Sequence, residues 1–215
     1  MEQSKENKNT IRTANERVKR QSAGMMARFV ICAIMVSLCV SFAGCSSSGA
    51  KAEIKDDLDA LKTSTSAGSQ LEALREVVSK DTGKNIDGFL AKVRDFEYEI
   101  VSEEESAQED GKTAVLKVRI TTYDFGSEYL AAMNDYIQKE DYKADAEENS
   151  RKFYDELFVR LSALESRDYT KEVDIVAYCP KGSSEWVTNI KNNEALQDAL
   201  LGGMPSEMKA LSEES

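Results

Sequence analysis

Apolar residues at helical spacing mark the chain from residue 52 onward. Ile54, Leu58 and Leu61 predict a helix over residues 52–62, which ends in the Ser- and Thr-rich break that follows. Two further apolar stripes predict a second helix, stopped by the Asp-Thr-Gly sequence at residues 81–83, and a third, short helix. The stripes consist of Leu71, Leu74, Val77 and Val78 in the second helix, and of Ile86, Phe89, Leu90 and Val93 in the third.

The apolar spacing then changes to every second residue, which is typical of strands. Phe96, Tyr98 and Ile100 alternate with acidic residues, and the even positions from residue 114 to residue 120 are apolar in the same way. Between them lies an acidic stretch at residues 103–112 that closes on an Asp-Gly turn. We predict an antiparallel hairpin with one buried face and a solvated acidic tip, with weak cation binding as the alternative for that tip.

Helical spacing returns after residue 127 and predicts two helices. A stripe from Tyr129 to Ile137 marks the first, and the second is longer, over residues 144–165. The link between them, around Asp141, is charged, which predicts that it is exposed.

A second hairpin is predicted after these helices. Val173, Ile175, Ala177 and Cys179 alternate along its first strand, and a Pro-Lys-Gly-Ser-Ser turn leads to a return strand over residues 185–190. Asn193 caps a last helix over residues 194–201, which two glycines end. We expect residues 205–215 to form a mobile tail.

This order of elements predicts a single α+β domain over residues 52–204. The expected sheet is antiparallel with about four strands, and helices pack on one of its faces. The two middle helices form an insertion between the hairpins.

The N-terminal part of the chain predicts a leader rather than part of the domain. Residues 29–43 carry no charge, and four basic residues precede them within a short distance. Fifteen apolar residues are too few for a membrane-spanning helix, which needs about 20, but fit the core of a signal peptide. We therefore predict a signal peptide over residues 1–44. Met25 would start a more compact leader, and the sequence leaves the true start open.

The end of this leader, Ser-Phe-Ala-Gly-Cys at residues 41–45, resembles the bacterial lipobox. The resemblance implies cleavage between Gly44 and Cys45 and a diacylglycerol on the Cys45 sulfur. Phe42 stands where most lipoboxes have leucine. The implied location is extracytoplasmic, anchored to the cell membrane, with residues 45–51 as a tether. A plain membrane anchor and an ordinary secretory signal are the alternatives.

Removal of the leader makes the rest of the chain strongly acidic. The leader takes seven of the 28 Lys and Arg but three of the 39 Asp and Glu, which leaves a net charge of −15. Such a surface repels phosphate backbones, so we expect no nucleic-acid partner. Cys32 and Cys39 leave with the leader, so Cys179 has no disulfide partner. We interpret Cys179 as a buried apolar residue, with a reactive thiol as the alternative.

A second resemblance covers the domain itself. Residues 178–186, 192–196 and 200–204 resemble the C-terminal part of uncharacterised lipoproteins of Gram-positive bacteria, in which a Trp-bearing strand precedes a helix closed by Gly-Gly. These proteins are similar to the nuclear-transport-factor-2-like superfamily, whose domains are cone-shaped and α+β. The resemblance implies that fold over residues 52–204, but it implies no activity and no cofactor.

The residue types restrict the chemistry. The chain has no His, which excludes a Ser-His-Asp triad and imidazole metal sites, and neither a metal-ligand cluster nor a cofactor motif stands out. Where this superfamily catalyses, it uses an inward Asp or His; the candidates here are Asp95 and Asp174, and alternation turns both to the polar face. Tyr178 and Trp186 are candidates for lining a pocket. We predict a non-enzymatic module that binds a small ligand or an envelope protein, with a small enzyme and a purely structural lipoprotein as the alternatives.

Overall fold

A computed structural model describes residues 49–63, 80–138 and 146–213 of the chain. These residues form an α+β fold with a four-stranded antiparallel sheet and six α-helices. The elements are α1 (Gly49–Thr63), α2 (Lys80–Arg94), β1 (Glu97–Gln108), β2 (Gly111–Thr122), α3 (Phe125–Gln138), α4 (Ala146–Ala163), β3 (Tyr169–Pro180), β4 (Val187–Thr188), α5 (Glu194–Leu200) and α6 (Met204–Glu213), with a short 3₁₀ helix at Ile190–Asn192. The predicted α+β class, the antiparallel sheet of four strands and the two-helix insertion between β2 and β3 are confirmed.

The sheet is a meander in the order β1-β2-β3-β4, and its helices cover one face. The alternation along β2 and β3 is as predicted: Leu116 and Val118 are fully buried, and their neighbours in β3, Ile175 and Val173, are buried with them. Residues of α1, including Ile54, and residues of α5 complete this core. Burial of large aliphatic side chains on one face of each element fixes the strand register, because a slip of one residue would expose them all.

A second core lies among the helices α2, α3, α4 and α6. Phe89 and Phe125 meet edge to face with their ring centroids 5.1 Å apart, and Phe158 packs 5.7 Å from Phe89. Met204 and Met208 of α6 are buried in the same cluster. The insertion between the hairpins therefore builds a helical layer with its own interior.

The first hairpin corrects the prediction of an acidic loop. β1 and β2 stay paired as far as Gln108 and Gly111, so only Glu109 and Asp110 form the turn. The predicted loop at residues 103–112 is wrong, because most of it is strand. Its period was hidden by a bulge between Ile100 and Ser102, and every residue beyond that bulge in β1 is exposed. A strand with no buried face leaves no alternation in the sequence.

Three other boundaries differ from the prediction. The helix α2 runs through residues 81–83, so the predicted stop there is wrong; the second predicted stripe, from Leu71 to Val78, lies outside the described residues. The return strand is only Val187–Thr188 rather than residues 185–190. Residues 204–213 form the helix α6, so the prediction of a mobile tail from residue 205 is wrong for the described part of that segment.

The turn between α5 and α6 joins the two cores. The Asn193 side chain accepts a hydrogen bond from the Leu196 N–H and caps α5, as predicted. At the other end of α5, Gly202 and Gly203 have φ angles of +54° and +78°, which side chains disfavour. The Gly126 N–H at the start of α3 donates to the Gly202 carbonyl oxygen over 3.0 Å, which fixes the helical layer to the end of α5.

Candidate functional site

The uncovered face of the sheet is the surface best placed to meet a ligand. Lys117 and Arg119 of β2 project from it and form cross-strand ion pairs with β3 and β1. The Lys117 Nζ lies 2.9 Å from an Asp174 oxygen, and Arg119 lies 2.7 Å from Glu99 and 2.8 Å from Glu172. Lys117 donates a hydrogen bond to Asp174, which raises the pKa of the Lys117 amine. The middle of the face is therefore a polar ladder in which two basic side chains pair with three carboxylates.

An apolar surface lies beside this ladder, toward the β1–β2 turn. Val115 and Val176 are cross-strand partners on the uncovered face, and Tyr178 and Val187 form the next pair toward the turn. Val187 is 64% exposed, which is unusual for a large aliphatic side chain in a strand. We call these four residues the open-face patch.

Tyr178 and Trp186 do not line one pocket. Tyr178 alternates with the buried residues Ala177 and Cys179, so it lies on the uncovered face, where its hydroxyl donates to the Asp110 carbonyl oxygen over 2.9 Å. Trp186 packs against the core between the sheet and its helices. It directly precedes Val187, the partner of Tyr178, and successive strand residues point to opposite faces. The geometry thus separates the two aromatic candidates by the thickness of the sheet.

Asp174, one of the two candidate catalytic carboxylates, faces solvent as the alternation predicts. It lies on the uncovered face, its side chain is 58% exposed, and it is paired with Lys117.

Asp95, the other candidate, precedes β1 and bridges two elements of the fold. It accepts a hydrogen bond from the Tyr123 hydroxyl over 2.7 Å and an ion pair from Arg167 over 2.8 Å. The hydrogen bond to Asp95 raises the pKa of Tyr123. Both carboxylates thus serve as partners of basic or phenolic groups at the surface.

Cys179 is buried, as the alternation predicts. It is 7% exposed and unpaired, and its Sγ lies 3.4 Å from the Ser183 carbonyl oxygen in the β3–β4 turn. The thiol therefore contributes to the packing of this end of the sheet.

Two buried acidic residues were not singled out from the sequence. Asp57 of α1 accepts a hydrogen bond from the Thr188 hydroxyl of β4, and burial raises the pKa of the Asp57 carboxyl above its usual value. Asp198 of α5 pairs with Lys171 over 2.7 Å and accepts from the Ser206 N–H over 2.9 Å. Each one is a polar residue beside the buried apolar residues of its helix, where the sequence pattern predicts an exposed side chain, so the pattern gives no signal for it.

Metal ligation finds no support in the described part of the chain, where no three Cys, Asp or Glu side chains come together as ligands. The acidic residues of the first hairpin extend along a strand instead of converging. Glu105 pairs with Lys112 over 3.1 Å, and its neighbours point to alternate faces.

The predicted signal peptide, the lipobox with Gly44 and Cys45 and the link around Asp141 lie outside the described residues, as do residues 45–48 of the predicted tether. Residues 49–51 form the first turn of α1, so the prediction of a tether is wrong for them. None of the helices formed by the described residues is long and apolar enough to cross a bilayer. No family model, no curated protein and no solved structure matches this chain.

Proposed function

We propose that this chain is a lipid-anchored extracytoplasmic module that binds another protein of the cell envelope through the uncovered face of its sheet. The observation that carries the proposal is the open-face patch, four apolar or aromatic side chains beside a polar ladder of paired charges. Exposed apolar patches bordered by polar residues are typical of protein interaction sites. Small ligands are bound in concave sites, whereas this surface is one face of a sheet, so a protein is the partner that fits it.

The anchor in this proposal is Cys45, on the strength of the lipobox-like sequence before it. The helix α1 begins at Gly49, so three residues separate its start from Cys45, and the four Cα steps span at most about 14 Å. The first turns of α1 lie at the same end of the sheet as the open-face patch. Burial raises the pKa of Glu53, and the nearby carboxylates of Asp57, Asp56 and Glu185 raise it further; Asp57 also accepts a hydrogen bond from Thr188 beside Val187. The patch would thus be held near the membrane surface, where membrane proteins are the available partners.

The domain itself we propose to be a divergent member of the nuclear-transport-factor-2-like superfamily. Support comes from helices on one face of an antiparallel sheet and from the Trp-bearing segment before a helix closed by Gly202 and Gly203. An experimental structure whose four strands superpose on such domains would support this assignment, and one that superposes on another superfamily would refute it.

The anchor is tested by Cys45→Ala in the full chain, expressed in a bacterium that processes lipoproteins. We expect loss of incorporated labelled palmitate and either uncleaved precursor or release from the membrane, because two acyl chains anchor a protein stably. Cys179→Ala is the matched control, since it also removes a cysteine, and it should retain both label and membrane location. Unchanged labelling and fractionation of Cys45→Ala would refute the anchor.

The binding surface is tested by placing a photo-crosslinking amino acid at Val187 in living cells. Val159 of α4 is the matched control position, because it is also an exposed valine but lies on a helix instead of the sheet. The exposed fraction is 49% for Val159 and 64% for Val187. We expect a discrete protein adduct from position 187 that is absent from position 159 and that is lost when Val115 is changed to Glu. Equal patterns of adducts from both positions would refute a partner on this face.

A further inference from the structure

The sheet has one edge that nothing in the described part of the chain covers. β1 is the end strand, so one side of it is paired with β2 and the other has no strand partner. It is 12 residues long, about 40 Å, and every residue from Val101 to Asp110 is exposed. In an antiparallel pair, about half of the backbone N–H and C=O groups of an end strand point away from the partner strand.

The opposite edge of the sheet is closed by the chain itself. The Val176 N–H donates to the Asn189 Oδ1 and the Val176 carbonyl accepts from the Asn189 N–H, each over 2.9 Å. The Asn193 side chain donates to the Asp174 carbonyl oxygen over 2.8 Å. Side chains and loop backbone thus satisfy outer polar groups of β3 at Asp174 and Val176, whereas no strand among the described residues pairs with the outer side of β1.

The free edge is acidic and lacks basic residues. β1 contains five Glu and no Lys or Arg. Glu97, Glu99 and Glu105 are each paired with a basic residue on a neighbouring element. Glu103 and Glu104 have no basic partner within ion-pairing distance among the described residues. A second copy of β1 would place Glu against Glu, which is unfavourable for directly opposed side chains, whereas Lys or Arg there would be favourable.

Three consecutive Glu residues place carboxylates on both faces of the edge, and the bulge in β1 determines which face each one takes. Beyond it, Glu103 and Glu105 are opposite Leu116 and Ala114 and lie on the helix-covered side. Glu104 is opposite Val115 and lies on the uncovered side, in the same cross-strand row as the open-face patch. A strand added beside β1 would therefore meet negative charge at consecutive positions rather than at every second one.

We propose that β1 accepts an extended basic segment of another protein as a fifth strand, and that consecutive Lys or Arg residues in this segment pair with Glu103, Glu104 and Glu105. This proposal rests on the protein-binding role given above and specifies the chemistry of the partner. The backbone edge supplies the hydrogen bonds, and the carboxylates select basic segments and reject a second copy of this chain. The row that begins at Glu104 continues into Val115 and Val176, so a bound strand would extend the same surface.

The probe is a synthetic peptide of about ten residues in which Val and Thr flank two Lys-Lys pairs. Its binding to the purified full chain in detergent is measured by fluorescence anisotropy, independently of whether the protein is lipidated in the cell. One control peptide carries Glu in place of Lys. A second keeps every Lys but is N-methylated at alternate residues, which removes backbone donors without changing charge.

The variant is the triple change Glu103→Gln, Glu104→Gln and Glu105→Gln. Its matched control is Glu194→Gln, Glu207→Gln and Glu213→Gln, which removes the same charge from α5 and α6. Because three opposite-charge pairs are lost, we expect about ten-fold weaker binding for the variant. We expect no change for the control variant and a loss of ten-fold or more for the N-methylated peptide. Circular dichroism checks folding, and Glu104→Gln alone replaces the triple variant if that one does not fold.

Three results would overturn the proposal. The first is that the Lys-Lys peptide binds no more strongly than the Glu peptide. If the triple variant also self-associates, the role of the carboxylates is to prevent aggregation through the edge strand. The second is equal binding of the N-methylated peptide, which would show attraction of charge without strand addition. The third is an equal loss in the control variant, which would assign the effect to net charge. Failure of the Cys45 experiment would leave this test intact, so the two proposals fail separately.

Discussion

Gly202 lies where the two cores of the domain meet, and its replacement by alanine tests that junction. A Cβ at Gly202 would lie 2.1 Å from the Tyr123 carbonyl oxygen and 2.8 Å from the Phe125 nitrogen. Both of these atoms belong to backbone, so no side chain can turn away to relieve the contact. The residue also has a φ of +54°, which costs alanine about 1–2 kcal/mol.

Gly182 provides the matched control, because it separates the two costs. It also has a positive φ, +82°, but a Cβ there would meet no atom within 4 Å. We expect Gly182→Ala to lower the free energy of unfolding by about 1–2 kcal/mol, from backbone strain alone. Gly202→Ala adds the cost of overpacking, about 1–3 kcal/mol, for a total of about 2–5 kcal/mol.

The assay is urea unfolding of the purified protein followed by far-ultraviolet circular dichroism. A loss of this size is a large part of the roughly 5–15 kcal/mol that stabilises a typical domain, so the midpoint should shift clearly. If the two glycine variants lose the same free energy within about 0.5 kcal/mol, the close approach at Gly202 contributes nothing and the reasoning is refuted.

Three other residues give tests of the described contacts. Burial raises the pKa of Asp57 in the folded state, so its contribution to stability is present at acidic pH and is lost as the pH rises toward the folded pKa. Asp57→Asn should therefore gain stability relative to the parent as the pH rises above about 4, and a pH-independent difference in urea midpoints would contradict this. Cys179 should react slowly with a thiol reagent in the native protein and rapidly in urea, and rapid native labelling would restore the reactive-thiol interpretation. Lys171→Ala leaves the buried Asp198 without its cation and should cost about 1–3 kcal/mol; the double variant with Asp198→Asn should recover part of this loss, and no recovery would show that the pair is not coupled.

The sequence predicted best those strands that bury one face. In β2 and β3, apolar residues such as Leu116 and Ile175 are buried on the helix-covered side and alternate with polar residues. This alternation is visible in the sequence, and both strands lie where it predicts them. The outer half of β1 buries neither face, so its sequence shows no such alternation. Its extended state comes from pairing with β2, which is itself held by β3, so only the three-dimensional neighbours make residues 101–108 a strand.

The helix boundaries failed for a different reason. Thr and Gly at residues 82–83 disfavour a helix interior by about 1 kcal/mol for glycine, but burial of Ile86 and Phe89 against α4 outweighs this local preference. In α6 the apolar period of Met204, Met208 and Leu211 is present in the sequence. The prediction of a mobile tail misses this period, because two glycines and Pro205 disfavour continuation of the preceding helix; proline is nevertheless well accommodated in the first turn of a new helix.

Whether two candidate residues share a site depends on which face of the sheet each side chain occupies, and the sequence alone does not determine this. Tyr178 and Trp186 are close along a short hairpin, and proximity suggested one pocket. The pairing of Tyr178 with Val187 instead assigns them to opposite faces, and this pairing depends on where the turn after Pro180 places its return strand. In the same way, the bulge in β1 assigns Glu104 to the uncovered face and Glu103 and Glu105 to the helix-covered face, the reverse of an unbroken alternation from Tyr98.

The arrangement of the two cores separates stability from binding along the length of the sheet. Gly126 and Gly202 connect the cores at the end of the sheet where β2 leads into α3, whereas Val187 and the turn after Gln108 lie at the other end. Side chains exposed as Val187 is make few contacts in the folded state, so changing them removes little stabilising burial. Substitutions in the open-face patch should therefore alter binding while the urea midpoint stays near that of the parent. A patch variant whose urea midpoint falls as far as that of Gly202→Ala would show that these side chains stabilise the fold. That result would contradict the proposal that the uncovered face is a binding surface.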